Sequence, residues 1–247
     1  ISLIVITMSF EDKDESRIIV ALDFKDKKEA ISMAKLFTPK LCKIKVGLEL
    51  FVSCGPSIIK ELNSLGYKIF LDLKFHDITN TVLKSCAAAS DLGVWMLNVH
   101  SSGGKSMMAN SKIHLLNKNF TTLLLGVTIL TSLDENDIKE IGYNTDINSQ
   151  VLKMATLCKE SGLDGVVCSA EEVKSIKSKF PEKFICVCPG IRIDGEKNDD
   201  QKRIITPAMA AKNGADYIVV GRPIIESENP LESLIKIKKD FDNGLKK

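Results

Sequence analysis

The segment Phe70-Leu71-Asp72-Leu73-Lys74-Phe75-His76-Asp77-Ile78 sets two carboxylates and an ammonium at the end of an apolar run. Side chains along a strand alternate between its two faces, so Asp72 and Lys74 share one face while Leu71 and Leu73 share the other. With the leucines packed on a covering helix, Asp72 and Lys74 face the interior, and Asp77 lies beyond the strand where the chain must turn. Charges are rarely buried unless paired, because desolvation is only partly offset by Coulomb attraction. One reading is an internal salt bridge that fixes packing. The other is a charged array at the carboxyl end of a barrel strand, where catalytic groups collect.

Outward from this segment, short β-rich runs alternate with longer helical patterns, which argues for βα units around a parallel sheet. Strands are expected at Arg17–Asp23, Leu41–Val46, Lys68–Lys74, Val94–Val99, Thr121–Thr128, Gly165–Cys168, Phe184–Cys188 and Asp216–Val220. Helices are expected at Lys27–Phe37, Ser57–Ser64, Thr81–Asp91, Ser106–Asn117, Ile147–Ser161, Ala170–Lys179, Pro207–Lys212 and Pro230–Asp242. Gly66, Gly93, Gly162 and Gly214 close four of them as C-terminal glycines in the left-handed conformation. The cadence predicts a single-domain (β/α)8 barrel over 17–247, and the 247-residue length suits that fold. Residues 1–16 are read as an extension and lead-in. The apolar stretch 1–7 lacks the flanks of a signal peptide and is too short to span a bilayer, and Met8 looks like a more natural start.

Composition narrows the class further. With 34 basic and 32 acidic residues the net charge is +2, and no aromatic-plus-basic stripe appears, so neither nucleic acid nor membrane is an expected partner. The seven cysteines contain no C-x-x-C pair, which fits small buried hydrophobes in a reducing cytoplasm rather than a metal site.

In a barrel of this kind functional residues sit just after strands. Asp23 ends strand one, Lys45 ends strand two, and Asp72 to Asp77 end strand three. His100-Ser101-Ser102-Gly103-Gly104 follows strand four and Thr128 to Ser132 follows strand five. Pro189-Gly190-Ile191-Arg192 and Gly221-Arg222-Pro223 follow strands seven and eight. Those last two loops expose backbone N–H groups and offer arginine as a bidentate cation, which suits a phosphate. The polar stretch IDGEKNDDQK after Arg192 reads as a lid over that phosphate, with Gln201 as an amide donor. His76, His100 and His114 are read as loop or helix residues outside the chemistry.

Taken in order, LDLKFHDITNT, KVGLELF, TILTS, CPGIR, the DDQ-x-R-x-x-TP run and YIVVGRPI resemble orotidine 5′-phosphate decarboxylases of the bacterial type. Thr79 departs from the proline usual in D-I-P-N-T. The resemblance implies cofactor-free and metal-free loss of CO2 from orotidine 5′-phosphate, giving uridine 5′-phosphate in de novo pyrimidine biosynthesis. It makes Lys74 the proton donor, sets Asp72 against the departing carboxylate, and adds Lys45 and Asp77 to an alternating Lys-Asp-Lys-Asp array. It further implies a homodimer in which Asp77, Ile78 and Thr81 reach the neighbouring subunit's site. Asp23 would bind ribose hydroxyls and orient a lysine, and Thr131 would contact the pyrimidine. Arg192, Gln201, Gly221 and Arg222 would hold the phosphate, and Pro189 is a further substrate-binding residue. Two unit charges about 4 Å apart interact by roughly 4 kcal/mol at an effective dielectric near 20, enough to fix such a row before substrate arrives.

Two other readings remain open on sequence. One is a metal-dependent sugar-phosphate decarboxylase or aldolase on the same D-x-K-x-x-D barrel, which generally carries a carboxylate where this chain has Lys45, and lysine is no ligand for a hard cation. The other is a non-catalytic nucleotide-binding barrel, which has no need for the charged row.

Overall fold

The computed structural model describes residues 15–181, 183–192 and 205–246. Eight parallel strands close into a barrel in sequence order, with the first and last forming the seam. They are β1 (Ile18–Ala21), β2 (Lys43–Gly47), β3 (Ile69–Phe75), β4 (Met96–His100), β5 (Leu123–Val127), β6 (Gly165–Val167), β7 (Ile185–Cys188) and β8 (Tyr217–Val220). Around them run α1 (Lys27–Lys35), α2 (Leu48–Cys54), α3 (Ser57–Ser64), α4 (Thr79–Asp91), α5 (Gly104–Asn117) and α6 (Glu135–Glu140). The outer ring continues with α7 (Ile147–Glu160), α8 (Val173–Lys179), α9 (Pro207–Asn213), α10 (Arg222–Ile225) and α11 (Pro230–Leu245). All eight expected strands are present, and Gly66, Gly93, Gly162 and Gly214 have φ between 77° and 95°, as the cadence predicts.

Three helices escape the sequence reading. α2 continues the apolar alternation of β2 without a break, and its N-cap is Gly47, which has no side chain to mark the start. α6 is six residues long and lies in a polar stretch, though Asp134 and Asp137 form a reciprocal capping box at its start. α10 is a single turn with Pro223 near its beginning. Thr79 opens α4 at a position whose backbone N–H has no intrahelical partner in any case, so threonine replaces proline there without losing a helical bond.

Strand alternation sorts the core into two layers. Outward residues such as Ile18, Val20, Ile44, Val46 and Leu71 pack against the helices. Inward residues, among them Ile19, Phe70, Met96, Leu125, Val187 and Val219, fill the barrel. Each fully buried isoleucine or valine of this kind contributes about 1.5–3 kcal/mol relative to exposure. Six of the seven cysteines are buried and all are free, and burial pushes the thiols of Cys42, Cys86 and Cys158 up to about 12.

Strand β2 puts two charges into this inner layer. Its alternation sends Lys43 and Lys45 inward, one toward each end of the barrel. Lys43 donates to the Ser16 carbonyl at 2.6 Å, pairs with Glu15 at 3.2 Å, and lies 5.2 Å from the ring centres of Trp95 and Tyr217. These groups close the amino-terminal end. The carboxyl-terminal end is open.

Candidate active site

The open end is a cavity of about 300 Å³. Its wall brings together residues from both halves of the chain: Asp23, Lys45, Asp72 and Lys74 on one side, Arg192 and Arg222 from the loops after β7 and β8. Thr131, Pro189 and Gly221 also line it.

How β3 delivers its charges differs from a plain strand. Leu71 is in register with Leu97 of β4, but the next paired residue, Phe75, is opposite Val99, so β3 carries extra residues across from Asn98. Lys74 takes up the excess with φ 52°, a left-handed conformation rare for a residue with a side chain and costing roughly 1–2 kcal/mol. Asn98 meets this segment directly. Its Oδ1 accepts the Lys74 backbone N–H at 2.8 Å, and its Nδ2 donates to Asp72 Oδ1 at 2.7 Å. Asn98 has 0% exposure, is absent from the sequence-based site, and gave no signal there because its strand reads as ordinary core.

The charges form a continuous row. Lys74 Nζ is 2.7 Å from Asp72 Oδ1, Lys45 Nζ is 3.5 Å from Asp72 Oδ2, and Lys45 Nζ is 3.2 Å from Asp23 Oδ1. Within one chain the alternating row is therefore Asp23–Lys45–Asp72–Lys74. Asp77, the fourth member expected from the resemblance, is exposed outside it, and its Oδ1 accepts the adjacent Ile78 N–H at 2.6 Å. Ile78 is 73% exposed and Thr81 is exposed as well.

Burial pushes the Asp72 carboxyl up, but the charges of Lys45 and Lys74, with hydrogen bonds from Lys74 and Asn98, outweigh it and hold the group below its usual range. Burial likewise acts to lower Lys45, and Asp72 and Asp23 together outweigh it, so that ammonium is held above the ordinary lysine value. Two glycines keep the row compact. A Cβ on Gly47 would lie 2.9 Å from Lys45 Nζ, and one on Gly221 would lie 3.2 Å from Asp23 Oδ2.

On the far wall, Gly190 has φ 77°, and the backbone after it turns so that Ile191 bridges Ile205 and the Arg192 N–H donates to the Ile205 carbonyl at 3.3 Å. This ties together the two ends that flank residues 193–204. Gln201 and the expected lid fall in that interval, and the expected extension 1–7 precedes Glu15; all lie outside the described residues. The His76 and His100 rings stack in a tilted pair 5.4 Å apart behind Lys74, and burial, helped by the nearby His76 and Lys74, pushes His100 down. Among the described residues no group of His, Cys, Asp or Glu is arranged to hold a metal ion.

Comparison with known proteins agrees with this geometry. The chain is 45% identical to the orotidine 5′-phosphate decarboxylase of Saccharophagus degradans, over 90% of this chain and 94% of that one. It is 46% identical to the enzyme of that name from Pseudoalteromonas translucida, over 95% of this chain and all of the relative. Among solved structures, orotidine 5′-phosphate decarboxylase from Lactobacillus acidophilus superposes with a TM-score of 0.81 at 37% identity, covering 92% of this chain and 100% of that one. The resemblance carried by LDLKFHDITNT and its companion motifs is thus borne out. With the sequence profile of the family matching residues 16–237, nearly the whole barrel, the chain belongs to the orotidine 5′-phosphate decarboxylase / HUMPS family.

Proposed function

We propose that this cavity decarboxylates orotidine 5′-phosphate to uridine 5′-phosphate, in pyrimidine biosynthesis, using its own side chains and no cofactor. The observation that carries the reading is the ion-paired row Asp23–Lys45–Asp72–Lys74 along one wall of a cavity bounded by Arg192 and Arg222. The C6–carboxylate bond breaks with its electron pair left on C6, CO2 departs, and Lys74 Nζ delivers a proton to that carbon. The lysine's charge stabilises the developing carbanion before transfer, and a row fixed in advance needs little reorganisation at that moment. Asp72, held ionised by its neighbours, sits against the departing carboxylate.

Lys45 supports the decarboxylase over a metal-dependent barrel. It occupies the space between Asp23 and Asp72, so these carboxylates face an ammonium rather than a cation site. Arg192, Gly221, Arg222 and Gln201 are assigned to the phosphate, Thr131 and Pro189 to the pyrimidine-side wall, and Asp23 to the ribose hydroxyls. Phosphate binding lies remote from C6, so its energy is available to drive closure over the substrate.

The active unit in this reading is a homodimer in the cytoplasm, with Asp77, Ile78 and Thr81 completing the partner's row. Leu48, Val52 and Ile78 are apolar yet 55%, 78% and 73% exposed, and they follow the carboxyl ends of neighbouring strands β2 and β3, beside the cavity mouth. A partner surface there accounts for them. Among the described residues no helix is long and apolar enough to cross a membrane.

Loss of orotidine 5′-phosphate absorbance with purified protein in excess chelator tests the reading. Conversion to uridine 5′-phosphate is the expected result. Folded protein that is inert in chelator but acts on a sugar phosphate once magnesium is added would replace it with the metal-dependent reaction.

A further inference from the structure

We propose that Asn98, a residue outside the cavity lining, is a positioning residue that sets both the orientation of the Asp72 carboxylate and the backbone of Lys74. The inference rests on the roles given above to those two residues. On β4, Met96 and Asn98 point into the barrel one layer apart, beside the apolar inward positions Phe70, Leu125 and Val127 and the charged Asp72. An amide with 0% exposure in such a layer has to find its partners within the protein. Asn98 finds them in two atoms of the charged segment, the Lys74 backbone N–H at 2.8 Å and Asp72 Oδ1 at 2.7 Å. The orientation of the amide is fixed by chemistry, because a backbone N–H only donates and an ionised carboxylate only accepts.

The register explains why a side chain takes this part. Between the pairs Leu71–Leu97 and Phe75–Val99, the three residues 72–74 of β3 face Asn98 alone, so the ladder cannot supply a partner to each backbone group. The Asn98 side-chain Oδ1 takes the place of a ladder acceptor for Lys74, the residue at φ 52°. Without that bond the left-handed conformation loses its support, and relaxation toward an extended backbone re-aims the whole lysine side chain. The second bond acts at the same moment on the other partner. Asp72 Oδ1 accepts from both Lys74 Nζ and Asn98 Nδ2, so the amide fixes the plane in which carboxylate and ammonium meet.

Steady-state kinetics of Asn98→Ala and the near-isosteric Asn98→Asp, corrected for folded fraction, test this. Asn98→Ala is expected to lower kcat about a hundredfold with little change in KM, the scale of a misplacement near 1 Å. Asn98→Asp keeps an acceptor for the Lys74 N–H and can donate to Asp72 only when protonated. Its activity relative to wild type should therefore rise as pH falls. A residue that merely filled the core would shift the melting temperature and leave kcat and the pH profile of folded enzyme unchanged; that outcome overturns the inference. Should neither variant fold, hydrogen exchange in the wild-type protein decides: the Lys74 amide is protected if Asn98 accepts it, and a freely exchanging amide overturns the proposal. The same measurement separates this inference from the assigned reaction. A protected Lys74 amide in wild-type protein that fails to convert orotidine 5′-phosphate would sink the reaction while supporting the contact.

Discussion

Strand β2 carries two lysines into the barrel, and the two ends treat them in opposite ways. At the amino end Lys43 meets one carboxylate, which is shared with Lys68 at 2.6 Å, and otherwise neutral groups: a carbonyl and two ring faces. Burial therefore dominates and lowers its proton affinity, with Glu15 only partly offsetting it. At the carboxyl end Lys45 is buried as well, yet two carboxylates flank it and raise its affinity. The same residue type, two positions apart, is a floor plug at one end and part of a charged device at the other. What separates them is the count of opposite charges within reach, not depth.

The strongest attack on the carboxyl end is Lys74→Ala. It removes both the proposed proton donor and the cation nearest Asp72, so kcat is expected to fall by about four orders of magnitude or more, with folding retained by circular dichroism. Substantial residual turnover would take the acid role away from Lys74. The comparison itself is tested by a matched pair. Lys45→Met should cost about 10²–10³ in kcat, because Asp72 loses a partner and swings. Lys43→Met should leave kcat near wild type while losing about 1–3 kcal/mol in urea unfolding, from the Ser16 carbonyl left without its donor. Equal kinetic losses in both would erase the distinction between the ends.

Smaller effects follow on the far wall and at the rim. Arg222→Ala is expected to raise KM about 10–100-fold with a lesser change in kcat, the worth of one charge-assisted hydrogen-bonding group; an unmoved KM would place the phosphate elsewhere. Mixing inactive Asp77→Asn and Lys74→Ala subunits should restore one working site per heterodimer, and a dead mixture with verified heterodimers would deny the shared site. The subtlest test is alkaline stability. Lys43 has a lowered value, so its burial penalty is present at neutral pH and fades as pH rises toward 10.5, whereas the stability from Lys45 is full below 10.5 and lost as pH rises through its raised value. Unfolding free energy should thus fall more steeply with alkaline pH in Lys43→Met than in wild type, and less steeply in Lys45→Met.

Much of this was legible in the chain. Alternation in strands and glycine stops after helices are local signals, so the eight strands and the inward pair Asp72 and Lys74 could be placed from spacing. Lys45 and Asp23 followed from their strand ends. Asn98 was not legible, because its part arises from a register shift between β3 and β4 that no periodicity encodes. The resemblance had already assigned Asp77 to a neighbouring subunit's site, and within one chain the turn after β3 carries it outward to bond its own neighbour Ile78. Asp23 is remote in sequence and arrives by the pairing of β1 with β2, and β8 then closes the barrel on the other side of β1.

That closure has a consequence for how the protein is made. Ile18, Ile19 and Val20 find their second neighbours only in Ile218, Val219 and Val220, the last strand of the barrel, and Gly221 packs beside Asp23 across the same seam. A chain emerging from the ribosome cannot satisfy β1 on that side until nearly all of it has been synthesised. Until then two apolar strand edges stand unpaired, an invitation to association with other chains. Catalytic competence and protection from aggregation arrive together, with the final zip of β8 against β1.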